Sequence, residues 1–501
     1  MIFRDWLKEL DYTLLQGSVD VETEDVIYDS RKAAPGKVFV AMKGIRVDGH
    51  SFIPQVLKAG VRVLVTERPV EEELKNSGLS EEELKQVTVV MVEEGRHALA
   101  LLSAARFDHP AKKLVMIGVT GTKGKTTTTH MIRAILLAAG KKVGMIGTTG
   151  TVIGDVVTPT LNTTPESYEL HQAFAQMVEA GCEYAVMEVS SQGIKMHRTD
   201  GLYFNYAIFT NISPDHIGPG EHADFEEYLY YKTRLLNMCG IGLVNKDDKH
   251  APQIIKAANC ELYTYSEESK EADFVASDIR YVSQPDFVGT EFHISGKYDM
   301  EVRLGIPGLF NVVNALAAVS VCSFLGLDQA RISHALENIL VNGRMEIVYT
   351  SERCTVLVDY AHNAVSMESL LSTLRDYKPK RLVCVFGCGG NRSKDRRYSM
   401  GEIGGKMADL SIITADNSRY EKVEDIIADI RGSIEKTGGK FIEIPDRREA
   451  IRYSILHAQP GDMVAVIGKG HEDYQEINGV RHHFLDREVI EETVKELGEK
   501  A

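Results

Sequence analysis

Residues 114–129, Leu-Val-Met-Ile-Gly-Val-Thr-Gly-Thr-Lys-Gly-Lys-Thr-Thr-Thr-Thr, constrain this chain more than any other stretch. The apolar run from Leu114 to Val119 reads as a buried strand, and it breaks into a Gly- and Thr-rich turn. Helical pattern follows from about His130 to Ala139. Strand, glycine loop, Lys-Thr and helix in this order describe a P-loop. Its glycines let backbone N–H groups close around phosphate oxygens at a helix N-terminus, Lys125 adds a point charge, and the Thr126 hydroxyl suits Mg²⁺. Five residues rather than four separate Gly118 from Gly124, so the loop is the Gly-Thr-x-Gly-Lys-Thr-Thr variant of the strict spacing. A bland glycine-rich turn would leave the order of these parts unexplained.

A chain of 501 residues is too long for one core and suggests two to four domains. Its net charge of −15 argues against a nucleic-acid binder, which needs a basic face. No run approaches the ~18 apolar residues of a membrane span. The first ten residues alternate charge and apolar character at helical spacing, unlike a signal peptide. The seven cysteines, at 182, 239, 260, 322, 354, 384 and 388, include no Cys-x-x-Cys pair, and are expected to be reduced, mostly buried thiols of a cytoplasmic protein.

Residues 1–110 show a small α/β pattern in which Ser30, Arg31, Lys43 and Gly44 fall on turns; turn chemistry and surface charge account for them without a function. Residues 70–88 read as a solvated helical face, and Phe107-Asp-His-Pro110 marks a boundary. From 111 to 342 strands and helices alternate as in a doubly wound, mostly parallel sheet. Gly140 is expected to cap the helix C-terminus, before the strand Val143–Ile146. The strand from Tyr184 ends in Glu188-Val-Ser190-Ser191, and the strand from Tyr206 ends in Asn211-Ile-Ser-Pro-Asp215-His216. Strand carboxyl ends of an open α/β sheet face the ligand crevice, so Glu188 there suits Mg²⁺ better than core packing. A lone histidine such as His216 is by itself more often structural. Lys232, on a helical stretch from Phe225 to Leu236, is by default a surface lysine. Residues 271–305 alternate as antiparallel strands, and Gly308 opens an apolar helix. From 343 to 501 a third, Rossmann-like α/β unit carries four strands that finish in Gly-, charge- or amide-rich turns, after Asp359, Phe386, Thr414 and Ile467.

Taken together, the P-loop from Gly121 to Thr127, Glu188-Val-Ser-Ser, Asn211 to His216, Asn311 to Asn314, Gly343-Arg-Met-Glu346 and Asp359-Tyr-Ala-His362 resemble the Mur ligase family of ATP-dependent amide-forming enzymes. The resemblance covers essentially the whole chain. It implies three domains, a UDP-sugar-binding domain (1–110), a central ATP-binding P-loop domain (111–342) and an amino-acid-binding domain (343–501). ATP would meet Gly121, Thr122, Lys123, Gly124, Lys125, Thr126, Thr127, Asn311 and Arg344. Mg²⁺ would meet Thr126, Glu188, His216 and a carbamylated Lys232, and the catalytic group would be Lys125, Glu188, His216 and Lys232. Ser30, Thr163, Thr164, Ser190, Arg198 and Lys232 would contact a UDP-N-acetylmuramoyl dipeptide. The expected chemistry is phosphorylation of the D-glutamate carboxylate to an acyl phosphate, then attack by an amine, in a protein acting as a monomer whose domains close on ATP.

Asp29-Ser-Arg31, Asn162-Thr-Thr-Pro165, Asp416-Asn417-Ser418-Arg419 and Gly468-Lys-Gly-His-Glu472 resemble the branch of that family that adds a diamino acid. Diaminopimelate-adding members carry Asp-Asn-Pro-Arg, whose guanidinium pairs with the distal carboxylate that lysine lacks. Arg392, Asp416, Asn417, Arg419, Gly468 and Glu472 would form this pocket, favouring meso-diaminopimelate over L-lysine or another diamino acid. Ser418 replaces the usual Pro, and Asn363-Ala-Val replaces Thr-Pro-Asp. A neighbouring Mur ligase or a folylpolyglutamate-type ligase is the other enzymatic reading; the residues before 110 disfavour the folate enzyme, which begins at its P-loop domain. A nucleotide-binding relative without catalysis is the third.

Overall fold

The computed structural model describes residues 1–44 and 47–498, and the chain divides into two compact units, Met1–Tyr265 and Ser266–Ala501. In the first unit an N-terminal five-stranded sheet has the order Thr13–Gln16, Thr88–Met91, Val63–Thr66, Lys37–Val40, Asp25–Ile27. Only the Thr13–Gln16 strand runs antiparallel to its neighbour. Phe3, Trp6, Val38, Val65 and Leu102 form part of one core on this sheet. The Glu- and Lys-rich stretch from 70 to 88 folds as two short helices, Glu71–Lys75 and Glu81–Lys85, the second closed by a Ser80–Glu83 capping box.

The same unit holds the parallel strands Cys239–Asn245, Phe204–Phe209, Val115–Thr120, Tyr184–Glu188 and Val143–Gly147, in that order. Met116, Ile117 and Val119 are buried on both faces of the sheet, which is why this strand reads as one apolar run. Each such side chain contributes about 1.5–3 kcal/mol on burial. The register aligns Glu188 with Val119 and Phe209 with Thr120, so three strands end level with the glycine loop. The helix after the loop spans Lys125–Ala138 and begins five residues before the predicted start. Thr126 to Thr129 are all buried, and their β-branched side chains weaken the local helical signal that tertiary burial overrides. Gly140 follows this helix with φ 77° and donates to Leu137 O.

In the second unit the strands Phe274–Gln284, Phe287–Gly296 and Met300–Leu304 form an antiparallel meander, with the apolar helix Leu309–Phe324 after it. A six-stranded sheet follows, ordered Glu346–Thr350, Cys354–Asp359, Asp462–Ile467, Arg381–Phe386, Leu410–Ile413, Phe441–Glu443. All but its first pairing are parallel. All seven cysteines are free thiols and five are buried. Among the described residues no helix is long and apolar enough to cross a membrane.

Candidate active site

The glycine loop is built where three strand ends meet. Gly121 has φ 145° and Gly124 φ 86°, conformations that L side chains avoid, and a Cβ on Gly121 would collide with Thr210 Oγ1. The turn after the Phe204–Phe209 strand grips the loop from one side. Thr210 Oγ1 and Asn211 Nδ2 donate to Lys123 O (2.6 and 3.1 Å), and Asn211 Oδ1 accepts from Lys123 N at 2.9 Å. Ser213 N donates to Thr122 Oγ1, which also lies 3.1 Å from Tyr228 Oη. These contacts fix the loop amides before any phosphate arrives.

On the other side, Thr126 Oγ1 lies 3.0 Å from both carboxylate oxygens of Glu188. Glu188 is buried and also accepts from Thr148 N (2.8 Å) and Thr148 Oγ1 (3.3 Å), so these donors are all neutral. Gly147 backs the carboxylate so closely that a Cβ there would strike Oε1. A buried carboxylate held by hydroxyls and an amide beside a P-loop is a hard-oxygen set that fits a divalent cation.

Lys232 corrects the expectation of a surface lysine: its residue is 1 % exposed. Asp224 caps the helix Phe225–Thr233 by accepting from Glu227 N, and one turn separates Tyr228 from Lys232 on the buried face. The Lys232 ammonium position lies 4.7 Å from the Tyr228 ring centre, and Nζ donates to Gly121 O at 2.7 Å. Lys125 Nζ donates to the same carbonyl at 2.8 Å. Burial, reinforced by the Lys125 charge, holds the Lys232 amine well below its ordinary pKa.

His216 stands apart from this buried group. Its side chain is 57 % exposed, with Nδ1 3.2 Å from Glu221 Oε1 and φ 53° at its backbone. The ring centre is 6.2 Å from that of Tyr228.

Of the groups expected to hold the sugar dipeptide, Thr163, Thr164, Ser190 and Arg198 lie along the Glu188 edge. Thr163 Oγ1 is 3.0 Å from Thr148 Oγ1, and Thr164 Oγ1 donates to Glu188 O and accepts from Ser190 N. Ser190 caps the short helix Ser191–Lys195 through Gly193 N. Arg198 donates to Thr164 O and pairs with Glu166 at 2.7 Å. Ser30 lies in the N-terminal sheet's turn after Asp29, two residues beyond Tyr28, whose hydroxyl donates to Glu169 of the helix Ser167–Glu179 at 2.8 Å. Thr148, Thr210 and Tyr228 went unnoticed in the sequence, where each is an ordinary residue beyond a strand or on a helix.

In the second unit Asn311 is buried at the start of its helix, donating to Pro307 O and accepting from Asn314 Nδ2. The Arg344 guanidinium lies 5.0 Å from the Tyr360 ring centre. Asp359 accepts from Met345 N and Ala361 N, and burial raises its carboxyl pKa. At the next strand ends Gly468, φ 114°, leaves room for Asp416 Oδ2. Asn417 Nδ2 donates to Glu472 Oε2 at 2.9 Å, and Arg419 Nη1 donates to Gly390 O at 2.7 Å with Nε 3.5 Å from Glu476. Arg392 is exposed on the neighbouring loop. Lys469, wholly buried, reaches Asn417 Oδ1 and Glu472 at 3.4 Å. Below these turns a buried pair unseen in the sequence, Arg447 and Asp486, makes two parallel bonds of 2.7 Å, while Arg447 also donates to Ala415 O and Ile467 O.

A P-loop sheet whose carboxyl-end turns gather a threonine, a carboxylate and a buried lysine defines a nucleotide-dependent enzyme of the α/β class. Three family models match along its length: the Mur ligase family catalytic domain over residues 23–107, the Mur ligase middle domain over 119–322 and the Mur ligase glutamate ligase domain over 343–470. The chain belongs to the Mur ligase family. It is 39% identical over 498 residues, 98% of each chain, to a protein of Caldanaerobacter subterraneus subsp. tengcongensis named "UDP-N-acetylmuramoyl-L-alanyl-D-glutamate--2,6-diaminopimelate ligase". A protein of the same name from Clostridium perfringens is 37% identical over 98% of this chain and 99% of its own. A solved structure of a ligase of that name superposes with a TM-score of 0.72 at 30% identity, covering 95% of this chain and 96% of the other.

Proposed function

We propose that the protein is an ATP-dependent ligase that joins meso-diaminopimelate to the D-glutamate of UDP-N-acetylmuramoyl-L-alanyl-D-glutamate, releasing ADP and phosphate, in peptidoglycan precursor synthesis. The observation that carries this reading is similarity to relatives of that name over 98% of the chain. The division of labour we infer is 1–110 for the UDP-sugar, 111–342 for ATP and 343–501 for the amino acid.

A carboxylate is a poor electrophile, so the D-glutamate oxygen first takes the γ-phosphoryl group of ATP. The amides of Gly121 to Thr127 and the Lys125 charge would hold the phosphates, with Asn311 and Arg344 on the nucleoside side of ATP. Thr126, Glu188, His216 and Lys232 are the residues that would hold Mg²⁺, which when bound supplies positive charge beside the transferring group. Lys232 supports a further step. Burial lowers the pKa of this amine and so favours its neutral form, which can add to CO₂, forming an N–C bond and losing a proton, and the resulting carbamate is an oxygen-bearing anion suited to the ion. Ser30, Thr163, Thr164, Ser190 and Arg198 would orient the sugar dipeptide, so that its carboxylate meets the phosphoryl group in line. The neutral amine of diaminopimelate then attacks the acyl phosphate carbonyl, forming the C–N bond; the carbonyl reforms as the C–O bond to phosphate breaks, phosphate departs, and the nitrogen gives up a proton to solvent. Arg419, with Arg392, Asp416, Asn417, Gly468 and Glu472, would read the distal end of the amino acid by bidentate pairing.

The test is an amino-acid panel, meso-diaminopimelate, L-lysine and L-ornithine, incubated with ATP and the UDP-dipeptide while phosphate and amide product are measured. Product with diaminopimelate alone is expected. Product with lysine in its place would reassign the amine, and phosphate release with a folate substrate would reassign the enzyme.

A further inference from the structure

His97, His197 and Asp200 form a cluster outside the site above. His97 lies in the helix Gly95–Arg106 of the N-terminal part, a hundred residues from the other two in sequence. His97 Nδ1 and His197 Nδ1 lie 2.7 and 2.8 Å from the same oxygen, Asp200 Oδ2, and the two rings meet edge to face with centres 6.3 Å apart. The three ligand atoms lie within 4.8 Å of one another, and this is the one such group of three or more His, Cys, Asp or Glu among the described residues. All three residues are partly exposed, so an ion has a path in from solvent.

We propose that His97, His197 and Asp200 form a binding site for a zinc-class divalent cation that clamps the N-terminal helix Gly95–Arg106 to the turn carrying Arg198. Two imidazole nitrogens and one carboxylate oxygen are the donors that borderline ions such as Zn²⁺ and Co²⁺ select over Mg²⁺. Zn–N and Zn–O bonds of about 2.0–2.2 Å need donor atoms a little over 3 Å apart. The present hydrogen-bond spacings therefore open by about half an ångström when an ion takes the place of the two bridging protons. Each ring then coordinates as the neutral Nε2–H tautomer through its Nδ1 lone pair: the bridging proton of a neutral ring moves by way of solvent to Nε2, and a ring that was doubly protonated releases its Nδ1 proton to solvent. Three protein donors leave the fourth position to water. Because His197 precedes Arg198, whose guanidinium spans Thr164 O and Glu166, occupancy would stiffen the edge proposed to hold the sugar dipeptide.

The probe is Co²⁺ added to chelator-treated full-length protein in excess Mg²⁺, read by its visible d–d absorption, with Zn²⁺ displacing it. One equivalent of a low-symmetry Co²⁺ band is expected. His97→Ala and Asp200→Asn should each weaken binding by at least about tenfold, since losing even an outer-shell partner costs that much. Glu188→Gln should leave the band in place, which separates this site from the phosphate site. Circular dichroism checks that the variants fold, and His97→Gln serves if His97→Ala does not. No band in the wild type, or a band that survives in the His97 variants and disappears in Glu188→Gln, overturns the proposal.

Discussion

The carboxyl ends of two parallel sheets hold buried ionisable groups in contrasting ways. At the P-loop edge, Glu188 is held by neutral donors, and the buried Lys232 shares a carbonyl with a second amine, Lys125. At the base of the turns near Asp416, Arg447 and Asp486 satisfy one another through a bidentate pair, and the guanidinium's other bonds go to backbone carbonyls of two strand ends. The topology is shared, so the difference lies in saturation. Groups held by neutral donors and shared carbonyls remain able to take up a ligand's charge, whereas a charge matched by a bidentate partner holds the scaffold in shape.

Breaking the scaffold pair gives the largest effect. Asp486→Ala leaves a buried, unpaired guanidinium and should lower the stability of the second unit by about 3–5 kcal/mol in urea titrations. Retained stability would mean that Arg447 is not the brace described. Glu188→Gln should do the reverse, costing about a hundred- to a thousandfold in kcat while shifting the urea midpoint little. A variant that unfolds instead would place Glu188 among the scaffold residues. Next, Arg419→Ala removes charge-assisted bonds of about 1.5–3 kcal/mol, so KM for diaminopimelate should rise about ten- to a hundredfold with ATP affinity unchanged. Equal loss of both would contradict the pocket assignment.

The finest distinction is titration of Lys232. Its folded pKa lies below the ordinary 10.5, so between the two values the unfolded chain binds more protons than the folded one. Stability from this residue is full above the ordinary value and falls as pH drops toward the folded pKa, by up to about 1.4 kcal/mol per pH unit. In CO₂-free buffer Lys232→Met should flatten that slope. An unchanged slope would show the amine to be solvated.

Strand ends were legible because apolar runs stop abruptly at polar residues: Glu188, Asn211, Asp359 and Asp416 all sit where the pattern places them. The burial of Lys232 was not legible, since Phe-Glu-Glu-Tyr-Leu-Tyr-Tyr-Lys-Thr has no clean apolar stripe and its lysine turns inward on account of Tyr228 and Gly121. Arg447 and Asp486 open the helices Arg447–Leu456 and Asp486–Glu496, and charged first-turn residues are ordinarily solvated, so nothing in the sequence marks this pair. His97, His197 and Asp200 come together only through packing between segments a hundred residues apart. The sequence motifs thus placed these polar residues at strand ends, while pairs made by tertiary contact stayed hidden.

The chemistry at that edge can be followed directly by labelling the D-glutamate carboxylate with heavy oxygen and analysing the phosphate released during turnover with diaminopimelate. An acyl-phosphate route transfers one labelled oxygen to each phosphate. Phosphate free of label, formed at the same rate as the amide, would contradict it.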